Sequence, residues 1–204
     1  MNPGKPSPIL YFGGNAERIE GKREAFARMF PERSVYLVAY RGFGASSGEP
    51  GEAALVGDAL ALFDHVRSAH PGQPVSVIGR SLGSGAASQL AAQRPVAALA
   101  LVTPFDSMVS TAKSHYSIFP VDWLLTERYD SVKALQTARR PLVIVRAGRD
   151  EIVLPANTDQ LIAALASHKQ HVVMIESADY NDIANHPQYH QALSEAMTLM
   201  IQGP

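Results

Sequence analysis

Residues 74–92 read PVSVIGRSLGSGAASQLAA. Val75, Val77 and Ile78 are the apolar, β-branched residues of a strand, and the small-residue run after Leu82 has the composition of a tightly packed helix. Between them stands Gly79-Arg80-Ser81-Leu82-Gly83. A G-x-S-x-G sequence at a strand-to-helix turn puts its serine on a sharp, strained corner with the hydroxyl presented at the top of the sheet. A side chain at either glycine would collide with the neighbouring strand or helix. The helix N-terminus beneath the serine favours negative charge developing at its oxygen. The same residues can also be read as a glycine-rich turn without chemistry, or as a phosphate cradle at a helix N-terminus.

On both sides of this corner, short apolar runs alternate with longer stretches of helical period. Strands are expected at Pro8–Phe12, Val35–Tyr40, Pro74–Ile78, Val96–Val102, Leu142–Val145 and Val172–Ile175. Helices are expected at Ala16–Phe30, Ala53–Ala69, Ser81–Gln93, Ala156–Ala166 and Pro187–Ile201. Leu55, Ala59, Leu62, Phe63 and Val66 make the apolar face of the second helix. Several strands are apolar on both faces, as in a parallel sheet covered on each side. The alternation predicts an α/β fold, a doubly wound parallel sheet of about six strands in the order 2-1-3-4-5-6, with helices on both faces. Residues 1–204 make one domain. Residues 104–140 have no clear strand and carry Phe105, Met108, Tyr116, Phe119, Trp123, Leu124, Leu125 and Tyr129. A connection of that length reads either as a cap-like insert or as ordinary packed helices. Tyr116, Phe119, Trp123, Leu124 and Leu125 suggest an apolar acyl site.

Two further stretches suit acyl-transfer chemistry. Phe12-Gly13-Gly14-Asn15-Ala16 ends the first strand. A serine nucleophile needs backbone N–H groups aimed at the oxyanion of its tetrahedral intermediate. One donor follows the nucleophile, here Leu82, and the other lies in the loop after the first strand, with Asn15 the candidate. Gly-Gly-Asn alone is also an ordinary turn signal. The second stretch, AGRDEIV at 147–153, follows the strand at Leu142. A carboxylate at the C-terminal end of a strand faces the ligand crevice of an open α/β sheet. Asp150 has the chain order serine, acid, histidine, with Glu151 its neighbour and competitor. A turn or N-cap aspartate is the plainer reading.

Composition excludes several classes. Eighteen Lys and Arg against nineteen Asp and Glu give a net charge of −1, without the basic surplus of nucleic-acid or anionic-membrane binders. With no cysteine there is no disulfide scaffold, thiolate zinc site or cysteine nucleophile. No H-E-x-x-H or similar cluster points to a metal. No apolar run approaches the roughly 18 residues of a membrane span, and the N-terminus lacks the form of a secretory signal. A cytoplasmic protein is expected. Gly42-Phe43-Gly44-Ala45-Ser46-Ser47-Gly48 follows a strand but is one residue too long for a dinucleotide fingerprint.

The runs YFGGNAE, YRGFGASSGEP, GRSLGSG, AGRDEIV and ADYNDIANHPQYHQAL, in this order, resemble the serine α/β-hydrolases. The branch resembled holds bacterial esterase-like proteins related to lysophospholipases and depalmitoylating thioesterases. The resemblance implies Ser81 as nucleophile, Asp150 as triad acid, Asn15 and Leu82 as oxyanion donors, no cofactor, and a small acyl-ester or thioester substrate. It also places 104–140 at the cap position. Two departures stand out. The family motif His-Asn-Asp, whose histidine is the base, reads Tyr180-Asn181-Asp182 here. A phenol with an ordinary pKa near 10 is a poor proton shuttle at pH 7. The family also has two strands ahead of the one ending in FGGN, which leaves an edge at Val35–Tyr40 and makes a monomer or a homodimer the expected state.

Of seven histidines, His65, His70, His168 and His171 are expected on the surface, and His190 lies inside the last helix. His186, six positions after Tyr180, is the candidate base, although a coil would carry it about 9 Å away. It also reads as a solvated residue at a helix start, and His115 offers an entry from the cap. The expected function is ester or thioester hydrolysis through a Ser81 acyl-enzyme. The alternative is a catalytically impaired hydrolase-like protein that binds acyl compounds or a partner.

Overall fold

The computed structural model describes residues 1–116, 118–138 and 141–199. Strands β1 (Ile9–Phe12), β2 (Val35–Val38), β3 (Ser76–Arg80), β4 (Leu99–Val102), β5 (Leu142–Ala147) and β6 (Gln170–Ile175) form one open sheet. Their order is β2-β1-β3-β4-β5-β6, all parallel, as the sequence predicted. The helices are α1 (Arg23–Met29), α2 (Glu52–Ala69), α3 (Leu82–Gln93), α4 (Met108–His115), α5 (Val121–Leu124), α6 (Ser131–Thr137), α7 (Pro155–Ala164) and α8 (Pro187–Leu199).

Alternation along the strands sorts side chains into two cores. Leu10 and Phe12 face one side of the sheet with Val77, Leu99, Leu101 and Ile144, covered by α2, α3, α6 and α7. Ile9 and Tyr11 face the other with Ile78, Ala100, Val102 and Val145, beneath α1 and α8. Leu55, Ala59, Phe63 and Val66 make the buried stripe of α2, but Leu62 is exposed. It sits about 100° round the helix from Phe63 and lines a groove beside the sheet edge. That edge is β2, where Met1 and Val35 exchange two backbone hydrogen bonds.

Several boundaries differ from expectation. β3 begins at Ser76 and runs to Arg80, so the strand carries its pairing up to the serine itself. The helix expected from Ala16 is a loop, then a 3-10 turn at Ile19–Lys22, then α1. Ala16 is left-handed at φ 55° and Gly21 interrupts the helical stretch, so only Arg23 onward is α-helical. His70 is buried and hydrogen-bonded to the Tyr36 hydroxyl at 2.8 Å, not exposed as expected. His171 lies within β6. Residues 104–140 carry α4, α5 and α6. Their residues 117 and 139–140, and the expected helix end at Ile201, lie outside the described residues.

Candidate active site

The serine corner is built as its glycines require. Ser81 heads α3 with φ 50° and ψ −118°, a left-handed conformation that costs a non-glycine residue of order 1–3 kcal/mol. Three hydrogen bonds hold it there. Its N–H donates to Val102 O at 3.0 Å, and its carbonyl accepts from the Ser84 N–H at 2.7 Å and the Ser84 hydroxyl at 2.6 Å. A Cβ on Gly79 would lie 2.4 Å from Gly83 O, and one on Gly83 would lie 2.1 Å from Phe12 O. These approaches bring the end of β1, the elbow and the first turn of α3 into backbone contact. Ser81 is buried but not sealed, at 8% exposure. Leu82, the first residue of α3, has an N–H without an intrahelical partner, and none is found for it among the described residues.

The loop after β1 is tied down by side chains. The Tyr40 hydroxyl donates to Gly13 O at 2.8 Å. The Gly14 N–H donates to Glu17 Oε2 at 2.6 Å, so that donor is already committed. Asn15 stands exposed at the next position, and its N–H has no acceptor among the described residues. Glu17 also accepts from the Tyr11 hydroxyl at 3.0 Å and pairs with Arg80 and Lys22, each at 3.2 Å. Burial works against ionisation of Glu17, but Arg80, the Gly14 N–H and Lys22 outweigh it and hold the carboxyl below its ordinary pKa. Arg80 in turn donates to Tyr180 O at 2.8 Å, and its guanidinium carbon lies 4.7 Å from the centre of the Tyr180 ring. Sequence reading missed both Glu17 and Arg80. The only signal was a charged residue at the variable position of the elbow and an acid three residues after Gly14.

Asp150 follows β5 and is buried at 5% exposure. Its Oδ1 accepts from the N–H groups of Ile152 at 3.0 Å and Val153 at 2.8 Å, while no donor reaches Oδ2 among the described residues. Burial raises its pKa, against the lowering effect of those N–H groups and Arg80. A raised carboxyl pKa imposes a cost on folding that is absent at low pH, grows as pH rises past the unfolded-state pKa and is complete above the native pKa. Asp150→Asn keeps the acceptor oxygen and removes the charge. It is therefore expected to raise Tm at pH 7, and not below about pH 4. Thermal melts across that pH range check the sign. Glu151 is exposed.

No imidazole is hydrogen-bonded to Asp150 or Ser81 among the described residues. His186 Nε2 lies 3.3 Å from Asp182 Oδ1, just ahead of α8. His115, at the end of α4, has Nε2 2.8 Å from Ile152 O, which brings a cap histidine against the loop of Asp150. A Cβ on Gly14 would stand 3.3 Å from the Tyr180 hydroxyl, so the phenol reaches across to the loop after β1. A cavity of about 430 Å³ opens between the Asp150 and Tyr180 loops, lined by Arg149, Glu151, Ile152, Asp179, Tyr180 and Asp182. In the insert, Phe105 and Tyr129 belong to the core. Tyr116, Phe119, Trp123 and Leu124 face solvent. No group of three or more His, Asp or Glu side chains suited to a metal occurs among the described residues. Nor is any described helix long and apolar enough to cross a membrane.

A parallel sheet in this order, with a strained serine between β3 and α3 and an acid after β5, has the architecture of an α/β-hydrolase. Residues 9–127 match the family described as serine aminopeptidase, S33, and the chain belongs to that family of α/β-hydrolases. An uncharacterized protein of Mycobacterium tuberculosis is 35% identical over 182 residues, covering 88% of this chain and 64% of that one. The lysophosphatidylserine lipase ABHD12 of Rattus norvegicus is 31% identical over 166 residues, covering 71% of this chain and 42% of that enzyme. The chain thus spans less than two thirds of the length of these curated relatives. The monoacylglycerol lipase of Paleococcus ferrophilus shares the fold with a TM-score of 0.73 at 17% identity, over 97% of this chain and 96% of that one. An α/β hydrolase of Vibrio vulnificus gives 0.78 at 19%, over 93% and 73%.

Proposed function

We propose that the chain is a serine hydrolase of carboxylic esters or thioesters with an acyl chain, and that its turnover is slow. Ser81 Oγ attacks the acyl carbonyl, and the N–H groups of Leu82 and Asn15 receive the oxyanion. His186 takes the serine proton and returns it to the leaving group, while Asp150 stabilises the imidazolium. Water then releases the acid from the acyl-enzyme. The reading rests on the strained Ser81 backbone at the head of α3, because strain of this kind persists where the surrounding structure over-determines it. A lysophosphatidylserine lipase among the relatives supports an acyl ester as the substrate class. Slow turnover follows from the base. His186 is engaged with Asp182 and has to leave it to serve Ser81.

A fluorophosphonate probe tests the reading. The wild type should give an adduct that Ser81→Ala abolishes, formed roughly 100-fold more slowly in His186→Ala. No adduct in the wild type overturns the hydrolase reading. An unchanged rate in His186→Ala removes His186 from the mechanism, and His115→Ala in parallel tests the cap histidine. Tyr180 at the place of the base favours a second reading, an impaired relative that binds acyl compounds or a partner. Saturable binding of a fatty-acyl probe without any adduct would select it.

A further inference from the structure

One buried cation, next to Ser81 in the chain, ties the loop after β1 to the loop after β6. Arg80 leaves the sheet on the face that carries Ile78, at the variable position of the elbow. Its side chain is 10% exposed and that of its partner Glu17 is 7%. One terminal nitrogen pairs with Glu17, which holds the Gly14 N–H of the loop after β1. The other donates to the carbonyl of Tyr180, 100 residues away in sequence, and the guanidinium lies against that residue's ring.

An ion pair this enclosed is not accounted for by stability. Exchanging a buried pair for packed apolar groups is often neutral or stabilising, whereas removing one partner is strongly destabilising. Its geometry, by contrast, is specific. A guanidinium offers donors in a rigid planar fork, so it can hold two loops at a set separation, whereas an ammonium is a point charge on a flexible stem. Catalysis is sensitive to such placement, because oxyanion donors act only when fixed where charge develops.

We infer that Arg80 and Glu17 are positioning residues that couple the oxyanion loop to the Tyr180 loop. The Glu17 carboxylate uses up the Gly14 N–H and fixes the turn from which Asn15 is presented. Arg80 sets the distance between that turn and the backbone of residue 180. The inference rests on the proposed hydrolase site for its catalytic consequence, but not for its structural one.

Amide hydrogen exchange and probe labelling on the same proteins separate the two. In Arg80→Met, exchange should rise at least tenfold in residues 13–18 and 179–183 together, with β3, β4 and β5 unchanged. Glu17→Gln keeps an acceptor for Gly14 but weakens the hold on Arg80. It should loosen 179–183 more than 13–18, and it serves as the test if Arg80→Met does not fold. Arg80→Lys should restore protection at 13–18 more than at 179–183, since its ammonium keeps the charge that Glu17 pairs with but lacks the rigid two-nitrogen fork. In the labelling arm the saturating rate should fall at least tenfold in Arg80→Met, with the half-saturating probe concentration within twofold.

Exchange that stays at the wild-type level in either loop in every folded variant overturns the coupling. So does full restoration of both loops by Arg80→Lys. A labelling rate unchanged while both loops loosen overturns the positioning role. Absence of any adduct in the wild type refutes the hydrolase reading and the catalytic consequence with it, leaving the coupling to be decided by exchange.

Discussion

Tyr180→His is expected to raise ester hydrolysis by about 10²–10⁴-fold, the contribution of a positioned general base. The backbone of residue 180 is held by Arg80 through its carbonyl oxygen, a contact that does not depend on the side chain. Asp150, in the loop after β5, keeps Oδ2 clear of described donors and can accept an imidazole N–H. The exchange gives up the contact between the Arg80 guanidinium and the phenol ring, worth about 0.5–1 kcal/mol. It supplies a group whose ordinary pKa, near 6.5, suits proton transfer at neutral pH. Hydrolysis of p-nitrophenyl butyrate by Tyr180→His, with the Ser81→Ala/Tyr180→His double variant as blank, measures the effect. A rate equal to the wild type's would show that another base already works or that the site lacks more than an imidazole.

Gly83→Ala is expected to cost more than about 4 kcal/mol, a large share of the roughly 5–15 kcal/mol that holds a domain together. The added Cβ would lie 2.1 Å from Phe12 O and 2.6 Å from Gly13 O, both backbone atoms that cannot rotate away. Either α3 lifts from the sheet or the end of β1 moves, and both carry proposed oxyanion donors. Gly57, inside α2, is the internal control. Nothing lies within 4 Å of a Cβ there, so Gly57→Ala should stabilise by about 0.5–1 kcal/mol. Chemical denaturation of the two variants against wild type decides the matter. Equal stability of Gly83→Ala and wild type would mean that the close approach of β1 and α3 is not obligatory.

The legibility of the site followed the range of the forces involved. Gly79 and Gly83 announce the elbow because the turn between β3 and α3 is set within five residues. The loop after β1 was less legible. Helical period suggested a helix from Ala16, but the bond from Gly14 N–H to Glu17 and the left-handed Ala16 make a loop instead. The aromatic residues of 104–140 could not be sorted by composition. Phe105 and Tyr129 pack inward and Trp123 faces water, a difference that depends on how the insert lies on α3. There the Tyr129 ring rests against Gly85, where a Cβ would stand 2.8 Å away.

By itself, the sequence determined the parallel sheet, its strand order and the serine at its corner. Each of these is written in periodicity, glycine spacing or a single residue, and each acts over one turn or one strand. Only the tertiary structure decided what the charged residues do. It buried Arg80 against Glu17, engaged His186 with Asp182, set His115 beside the Asp150 loop and, among the described residues, brought no imidazole into hydrogen-bond reach of Asp150. Charges pair according to distance and burial in the folded chain. Those are set by the packing of strands far apart in sequence, and no local pattern encodes them.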